Sequence, residues 1–403
     1  MGQQEKIPAE EALNLVLGKV KPKDADLKIE IKDALGRVCA EKIFAPIDNP
    51  PFDRSPLDGY AMQSADTAGA SAENPAQLRV AGTVYAGDVF AGKLGKGEAV
   101  RIMTGAMFPP DCDCMVMQEN ASIADGGKIV SVSAPVAAYE NYIRAGEDIR
   151  KGQLLIEAGE RLDFARLTIL AAMGMDAVPV KALPVTGLLC TGDELAAAGK
   201  PLPTGKIYNS NETLIGSRLR ELGFSPKTLP ASGDDAGAVA AKIDSVIDEL
   251  DALITTGAVS VGEKDIFHEV FNILGAEKLF WRLNSKPGGA ILTGIYRGRP
   301  LMCLSGNPFA ALTGFELIVK PVLGKIASRA DLAINKRRVK LRENLPAKPV
   351  RRFIRARVEN GEAAFPAEHL SGQIFSIAGC NSLLDIPAGA ALEAGDETEA
   401  LLF

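Results

Sequence analysis

The chain has 403 residues, 47% hydrophobic and 24% charged, a balance typical of folded proteins and a length that suggests roughly two to four domains. Its net charge of −6 and the lack of any basic run exclude the electrostatic footprint of a nucleic-acid binder. The six cysteines are too sparse for a disulfide framework, Cys112 and Cys114 have no second pair at zinc spacing, and no stretch approaches the ~18 apolar residues of a membrane span.

The first twenty residues lack the apolar core and cleavage site of a signal peptide, so the expected compartment is the cytoplasm. Pro8 then opens an amphipathic helix over residues 9–20, with Ala12, Leu13, Val16, Leu17 and Val20 on one face. Residues 22–45 alternate as strands do. Between 46 and 141, short apolar runs (78–80, 84–86, 99–103, 114–117 and 129–132) are separated by Gly, Pro and Asp, which predicts a small all-β unit. Asp163 opens a helix through Leu167, Leu170 and Ala171 that Gly174 stops.

Strands and helices alternate from residue 185 onward. Strands are expected at 185–190, 252–256, 279–283 and 301–304. Helices are expected at 211–222, 235–250, 266–274 and 308–326. This pattern predicts a doubly wound, mostly parallel sheet with helices on both faces. Past residue 330 the period returns to two, in runs at 338–341, 353–358, 383–386 and 400–403 punctuated by prolines. That predicts a separate β-domain, and so a multidomain chain of α/β plus all-β parts.

In an open parallel sheet, ligands bind beyond the carboxyl ends of the strands. Four loops fall there: Thr191-Gly192-Asp193-Glu194, Gly257 through Asp265, Asn284-Ser285-Lys286-Pro287-Gly288-Gly289, and Ser305-Gly306-Asn307-Pro308. Their glycines let backbone approach a ligand, and the helices they open offer free N–H groups to an anion. Lys286 and Arg282 supply positive charge for phosphate. Glu194, Asp234 and Asp265 are hard oxygen donors suited to Mg²⁺, which takes one or two carboxylates together with substrate phosphates. Taken singly, each of these residues also reads as a cap or a solvated turn. The coincidence of four loops on one edge carries the functional reading. Tyr60, beside the turn Asp58-Gly59, is expected to pack rather than react.

Ten strings, PFDRSPLDGYA, RIMTGA, VMQEN, RAGEDI, TGDEL, GKIYNSN, SVGEKD, KPGG, SGNP and SGQIFS, run in order from residue 51 to 376. Together they resemble the MoeA/gephyrin family, the molybdopterin molybdenumtransferases. The resemblance implies an elongated N-terminal domain (1–45 and 142–178), an inserted β-domain (46–141), an α/β molybdopterin-binding domain (179–328) and a C-terminal β-barrel (329–403). It implies a Mg²⁺-dependent insertion of molybdenum, from molybdate, into adenylylated molybdopterin with release of AMP. It further implies a homodimer with a composite cleft between subunits, and a molybdopterin adenylyltransferase as an upstream partner.

By matching position, the resemblance assigns catalytic roles to Asp58, Thr104, Glu194, Asp234, Asp265 and Lys286. It assigns ligand binding to Gly257, Ser260, Gly262, Arg282, Lys286, Pro287, Gly288, Ser305, Gly306, Asn307, Pro308 and Ser371. A basic residue of the barrel corresponds to Arg352 or Arg355. Three positions depart from the family pattern: Gly289 stands for a second lysine of KPGK, Ala258 for a glycine and Ser305 for a proline. Losing that lysine removes ~1–3 kcal/mol if it made a charge-assisted bond. An alternative reading is therefore a binding or scaffold relative whose turnover is weakened.

Overall fold

The computed structural model describes residues 6–259, 266–367 and 370–403, in two units: Lys28–Val180, and the rest of the chain. The larger unit begins with helix α1 (Ala9–Lys19), followed much later in the chain by a six-stranded sheet and its helices. The sheet strands are β1 (Thr186–Thr191), β2 (Lys227–Ser232), β3 (Ala252–Thr256), β4 (Glu277–Trp281), β5 (Ile291–Tyr296) and β6 (Arg299–Leu304). Helices α2 (Ser210–Glu221), α3 (Ala236–Val246) and α4 (Phe267–Leu274) lie between them.

The spatial order is β2-β1-β3-β6-β5-β4. β2, β1, β3 and β6 are mutually parallel, and β5 is antiparallel to both of its neighbours. Two reversals leave β4 pointing the same way as β6. The carboxyl ends of β1, β3, β4 and β6 therefore share one edge, as the sequence predicts. The antiparallel β5, which the sequence reading omits, is what allows this.

Successive strand residues face opposite sides, and here both sides are apolar. Leu188, Ile254, Met302 and Leu304 pack with α1, α2 and the long helical segment after β6, whereas Leu189, Leu253, Leu301 and Cys303 pack with α3 and α4. Ala12 and Val16 of α1 are fully buried in the first of these cores. The segment after β6, expected as one helix, is α5 (Pro308–Gly314), a wider π-turn (Phe315–Val319) and α6 (Lys320–Ile326). Pro321 explains the widening, because it has no N–H to give to residue 317 and its ring would collide with that carbonyl.

β7 (Lys336–Leu341), β8 (Arg351–Glu359), β9 (Glu362–Ala364), β10 (Ser382–Ile386) and β11 (Glu397–Leu402) close into a barrel through β8–β10 pairing. Its interior holds Val339, Leu341, Ile354, Leu384, Ile386 and Ala400. An ion-pair network ties α1 to it. Arg351 holds Glu10 at 2.6 Å and Asp385 at 2.6 Å, and Lys336 adds a bond to Asp385 at 2.8 Å.

The hydrogen bonds from Arg351 bring the Glu10 carboxyl down to about 2. A carboxyl depressed in this way adds stability that is fully present above its unfolded value and lost as pH falls through the folded one. Glu10→Gln should thus lower the urea midpoint at pH near 7 and lower it much less near pH 2; an equal loss at both would sink this assignment.

In the Lys28–Val180 unit, a six-stranded sheet runs in the order Cys114–Met117, Gly59–Met62, Glu98–Ile102, Ala76–Val84, Ile129–Val132, Ala121–Ala124. The run expected at 78–80 and the first residue of that expected at 84–86 belong to one strand, Ala76–Val84, bulged between Val80 and Gly82, while Tyr85 and Ala86 lie beyond its end. Tyr60 and Met62 pack on one face and Ala61 on the other, so Tyr60 is a core residue. The helix expected from Asp163 is Phe164–Ala172, and the Asp163 side chain caps it by accepting from the Arg166 N–H.

Candidate functional site

Backbone pairing brings cations to one place. Ser285 and Lys286 add as a short parallel strand to β8, aligning Lys286 with Arg352. The loop returns through a cis Lys286–Pro287 bond and Gly288 (φ 82°), and the Leu283 N–H donates to the Gly289 carbonyl at 3.0 Å. A Cβ on Gly288 would lie 2.8 Å from Thr313 Cγ2, which makes the tight packing on α5 conditional on glycine.

The result is a cleft of about 850 Å³ between the sheet edge and the barrel. Arg282, Lys286, Pro287, Gly288, Ser305, Asn307 and Ser371 line it, as do Lys6, Lys348 and Arg352. Among the described lining residues there are five cations and no carboxylate. Fixed positive charge without internal compensation is the electrostatic signature of an anion site.

The loop 305–308 brings Ser305 and Asn307 into the cleft, whereas Gly306 and Pro308 are not among its lining residues. Asn307 donates its N–H to Ser305 Oγ at 3.2 Å, and Asn211 Nδ2 donates to the Gly306 carbonyl at 2.8 Å. Pro308 takes the first position of α5, where its missing N–H costs nothing. The N–H of Phe309 donates to the Ser371 carbonyl at 3.1 Å, which holds the barrel loop against the helix start.

The two candidate arginines of β8 separate. Arg352 lines the cleft and donates to the Pro346 carbonyl at 2.7 Å. Arg355 is fully buried, lies 4.3 Å over the Phe309 ring and donates to the Leu370 carbonyl at 3.0 Å. Burial lowers its pKa from the ordinary guanidinium value.

Gly257 ends β3 at φ 100°, and a Cβ there would stand 2.1 Å from the Thr191 carbonyl. Only glycine fits where the loops after β1 and β3 touch. The next residue, Ala258, is also left-handed, at φ 50°. A glycine accepts that conformation and an alanine resists it by ~1 kcal/mol. Ala258→Gly is expected to raise stability by up to ~1 kcal/mol net of the greater unfolded-state entropy of glycine, read as a higher denaturant midpoint. A fall in the midpoint would contradict the strain.

Ser260, Gly262 and Asp265 lie outside the described residues. Of the carboxylates assigned to Mg²⁺, Glu194 follows β1 and Asp234 follows β2. The Asp234 N–H donates to Asp193 Oδ1 at 3.1 Å, and the Asp193 N–H reaches back to Asp234 Oδ2 at 3.5 Å, which fastens the two loops together. Neither Glu194 nor Asp234 lines the cationic cleft. Among the described residues no three His, Cys, Asp or Glu side chains are grouped to hold a metal.

A separate corner forms in the Lys28–Val180 unit. Gly59 pairs with Ile102 across antiparallel strands, which sets Asp58 and Thr104 side by side. Thr104 donates both its N–H (2.8 Å) and its hydroxyl (2.7 Å) to Asp58 Oδ1. These two bonds, the side-chain one foremost, keep the Asp58 carboxyl below its usual pKa and ionised. The Gln118 N–H donates to the Asp58 carbonyl at 3.1 Å, so three of the quoted strings meet there.

Lys6 and Lys348 are residues the sequence reading missed. No local signal marks either one. Lys6 arrives because Ile7 forms a parallel bridge with Leu283, a contact no short-range pattern encodes.

Models described as the MoeA N-terminal region (domain I and II), a probable molybdopterin binding domain and the MoeA C-terminal region (domain IV) match residues 7–174, 187–325 and 338–403. A molybdopterin molybdenumtransferase of Bacillus subtilis (strain 168) is 35% identical over 98% of this chain and 94% of its own length. One from Staphylococcus aureus (strain COL) is 32% identical over 98% of this chain and 95% of its own. The crystal structure of a MoeA protein of molybdopterin biosynthesis from Pyrococcus horikoshii OT3 superposes with a TM-score of 0.81 at 29% identity, covering 99% of this chain and 100% of that one. Another crystal structure of a molybdopterin biosynthesis MoeA protein from Pyrococcus gives 0.86 at 31% identity, covering 99% of each chain.

Proposed function

The chain belongs to the MoeA family, enzymes that transfer molybdenum to molybdopterin in molybdenum cofactor biosynthesis, and from that premise we propose that its cationic cleft receives the phosphates of adenylylated molybdopterin together with molybdate. The observation that carries the reading is the convergence of Arg282, Lys286, Arg352, Ser305, Asn307 and Ser371 in one cleft, with no carboxylate among the described lining residues.

Exchanging one oxo group of molybdate for the two dithiolene sulfurs releases one water, balanced by the two thiol protons. Hydrolysis of the phosphoanhydride then yields AMP. In this scheme Lys286, Arg282 and Arg352 neutralise the phosphate oxygens as charge builds on them. Ser305 and Asn307 orient the same oxygens by hydrogen bonding. Asp58, held ionised by Thr104, accepts a hydrogen bond from a hydroxyl or amine of the substrate.

Glu194 and Asp234 present hard oxygen donors on loops fastened to each other, a donor set that fits Mg²⁺. When bound there, Mg²⁺ would supply positive charge at these two loops, which stand apart from the lining of the cationic cleft. We further propose the domain limits 1–45 with 142–178, 46–141, 179–328 and 329–403, a homodimer with a composite cleft, an adenylyltransferase upstream and a cytoplasmic site of action. No helix of the described residues is long and apolar enough to cross a membrane.

The test is direct. Purified protein given adenylylated molybdopterin, molybdate and Mg²⁺ should release AMP, and no release at any molybdate concentration would refute the enzymatic reading. Gly289 favours one second reading, a molybdopterin-binding relative of weakened turnover. That protein would bind the pterin tightly and release no AMP.

A further inference from the structure

Lys6 enters the cleft from far away in the chain. The Ile7 N–H donates to the Arg282 carbonyl at 3.3 Å, and the Asn284 N–H donates to the Ile7 carbonyl at 2.8 Å. These bonds lay the segment before α1 beside residues 282–284, in a parallel bridge of Ile7 with Leu283. Lys6, one residue before the bridge, lines the same cleft as Arg282, one residue before Leu283. Arg282 itself has a left-handed backbone (φ 77°), an uncommon state for arginine and one of the kind that persists at ligand sites.

A second pairing in the same lining sets Lys286 opposite Arg352. The cleft is thus lined by two pairs of cations, Lys6 with Arg282 and Lys286 with Arg352, whose segments are brought together by main-chain pairing. Among the described residues neither Lys6 nor Lys286 has a carboxylate partner, and the lining residues include none. Like charges held at neighbouring positions repel, and a dianion placed between them removes the repulsion. The 283–289 loop cannot supply a further cation at its end, because a Cβ on Gly289 would lie 2.4 Å from the Ser285 carbonyl.

From this arrangement we infer that Lys6 is a substrate-binding residue of the cleft, pairing with Arg282 to hold a tetrahedral oxyanion, either molybdate or a phosphate of the pterin nucleotide. The inference rests on the reading of the cleft proposed above. Lys348 also lines the cleft, but its backbone is not paired with a neighbouring cation, so Lys6 is the better-placed residue.

The experiment measures binding of two probes separately, molybdate alone and adenylylated molybdopterin without molybdate, to wild type, Lys6→Ala and Lys6→Arg. Lys6→Ala should weaken one probe by about tenfold, the size expected for loss of one charge-assisted contact. The probe affected identifies which oxyanion Lys6 holds. Lys6→Arg should retain affinity within about threefold. The salt dependence of binding should flatten in Lys6→Ala, and in turnover KM should rise with kcat little changed. Melting temperatures of the three proteins should agree, since the Ile7 bonds are main-chain. Wild type that binds neither probe overturns the reading of the cleft. Wild type that binds, with Lys6→Ala equally tight for both probes, overturns the role of Lys6 alone. Equal weakening in Lys6→Ala and Lys6→Arg would make the segment merely structural and also overturns it.

Discussion

Lys286→Ala should cut AMP release by roughly 10²–10³-fold, with most of the loss in kcat, while leaving the melting temperature near that of wild type. The size follows from how the residue is held. Its backbone is aligned with Arg352 on β8, and the turn after it is packed so closely on α5 that Gly288 has no room for a Cβ. A cation whose backbone is already placed at the cleft loses little orientation when negative charge develops on a phosphate, and this supports a contribution of ~3–4 kcal/mol. Stability should be spared because the Lys286 side chain is exposed and makes no ion pair among the described residues. Lys286→Arg should recover only part of the rate, since a bulkier planar guanidinium does not reproduce the position of an ammonium. Activity of Lys286→Ala within about threefold of wild type would mean that this cleft is not where the phosphates lie.

The parts of the fold that could be read from the sequence are those whose burial is local and periodic. β3 reads clearly because Ala252–Thr256 is a wholly buried run stopped by Gly257, and α4 because its apolar stripe ends at Gly275 in a left-handed cap. β5 did not show. Gly294 interrupts its apolar run, since a Cβ there would meet the Glu277 carbonyl at 2.1 Å, and its hairpin partner begins only two residues later, after Arg297-Gly298. The loops on the sheet edge were legible as a set, but their division was not. Glu194 and Asp234 gather after β1 and β2, whereas the cations gather near β4 and β6, and that separation depends on strand order. Arg352 and Arg355 could not be told apart in one dimension. Three residues apart on a strand they face opposite sides, and only the closed barrel decides which side meets the cleft.

Gly289→Lys is expected to lower both stability and AMP release, although it would restore the charge that the family pattern places there. The φ of Gly289 is not positive, so the obstacle is contact rather than backbone conformation. A Cβ would stand 2.4 Å from the Ser285 carbonyl and 3.1 Å from that of Leu283. Both are main-chain atoms, and neither is free to yield. Ser285 is paired with Arg351 on β8, and the Leu283 N–H is bonded to the Gly289 carbonyl itself. Relief therefore requires the whole 283–289 loop to shift, and Lys286 with it.

Overpacking of this kind costs ~1–3 kcal/mol, about what an added charge-assisted bond would contribute. The two do not cancel in function, because the shift displaces a residue on which the chemistry depends. Gly289→Ala separates the effects, since it carries the steric clash without the charge. Its melting temperature should fall by as much as that of Gly289→Lys, and its AMP release should fall too. A Gly289→Lys protein with faster AMP release and an unchanged melting temperature would show that the loop has room for the side chain. It would also favour the reading in which the natural glycine weakens turnover. If both variants instead lose stability together, the glycine belongs to this chain's own loop geometry, and the missing cation has to come from another segment of the cleft.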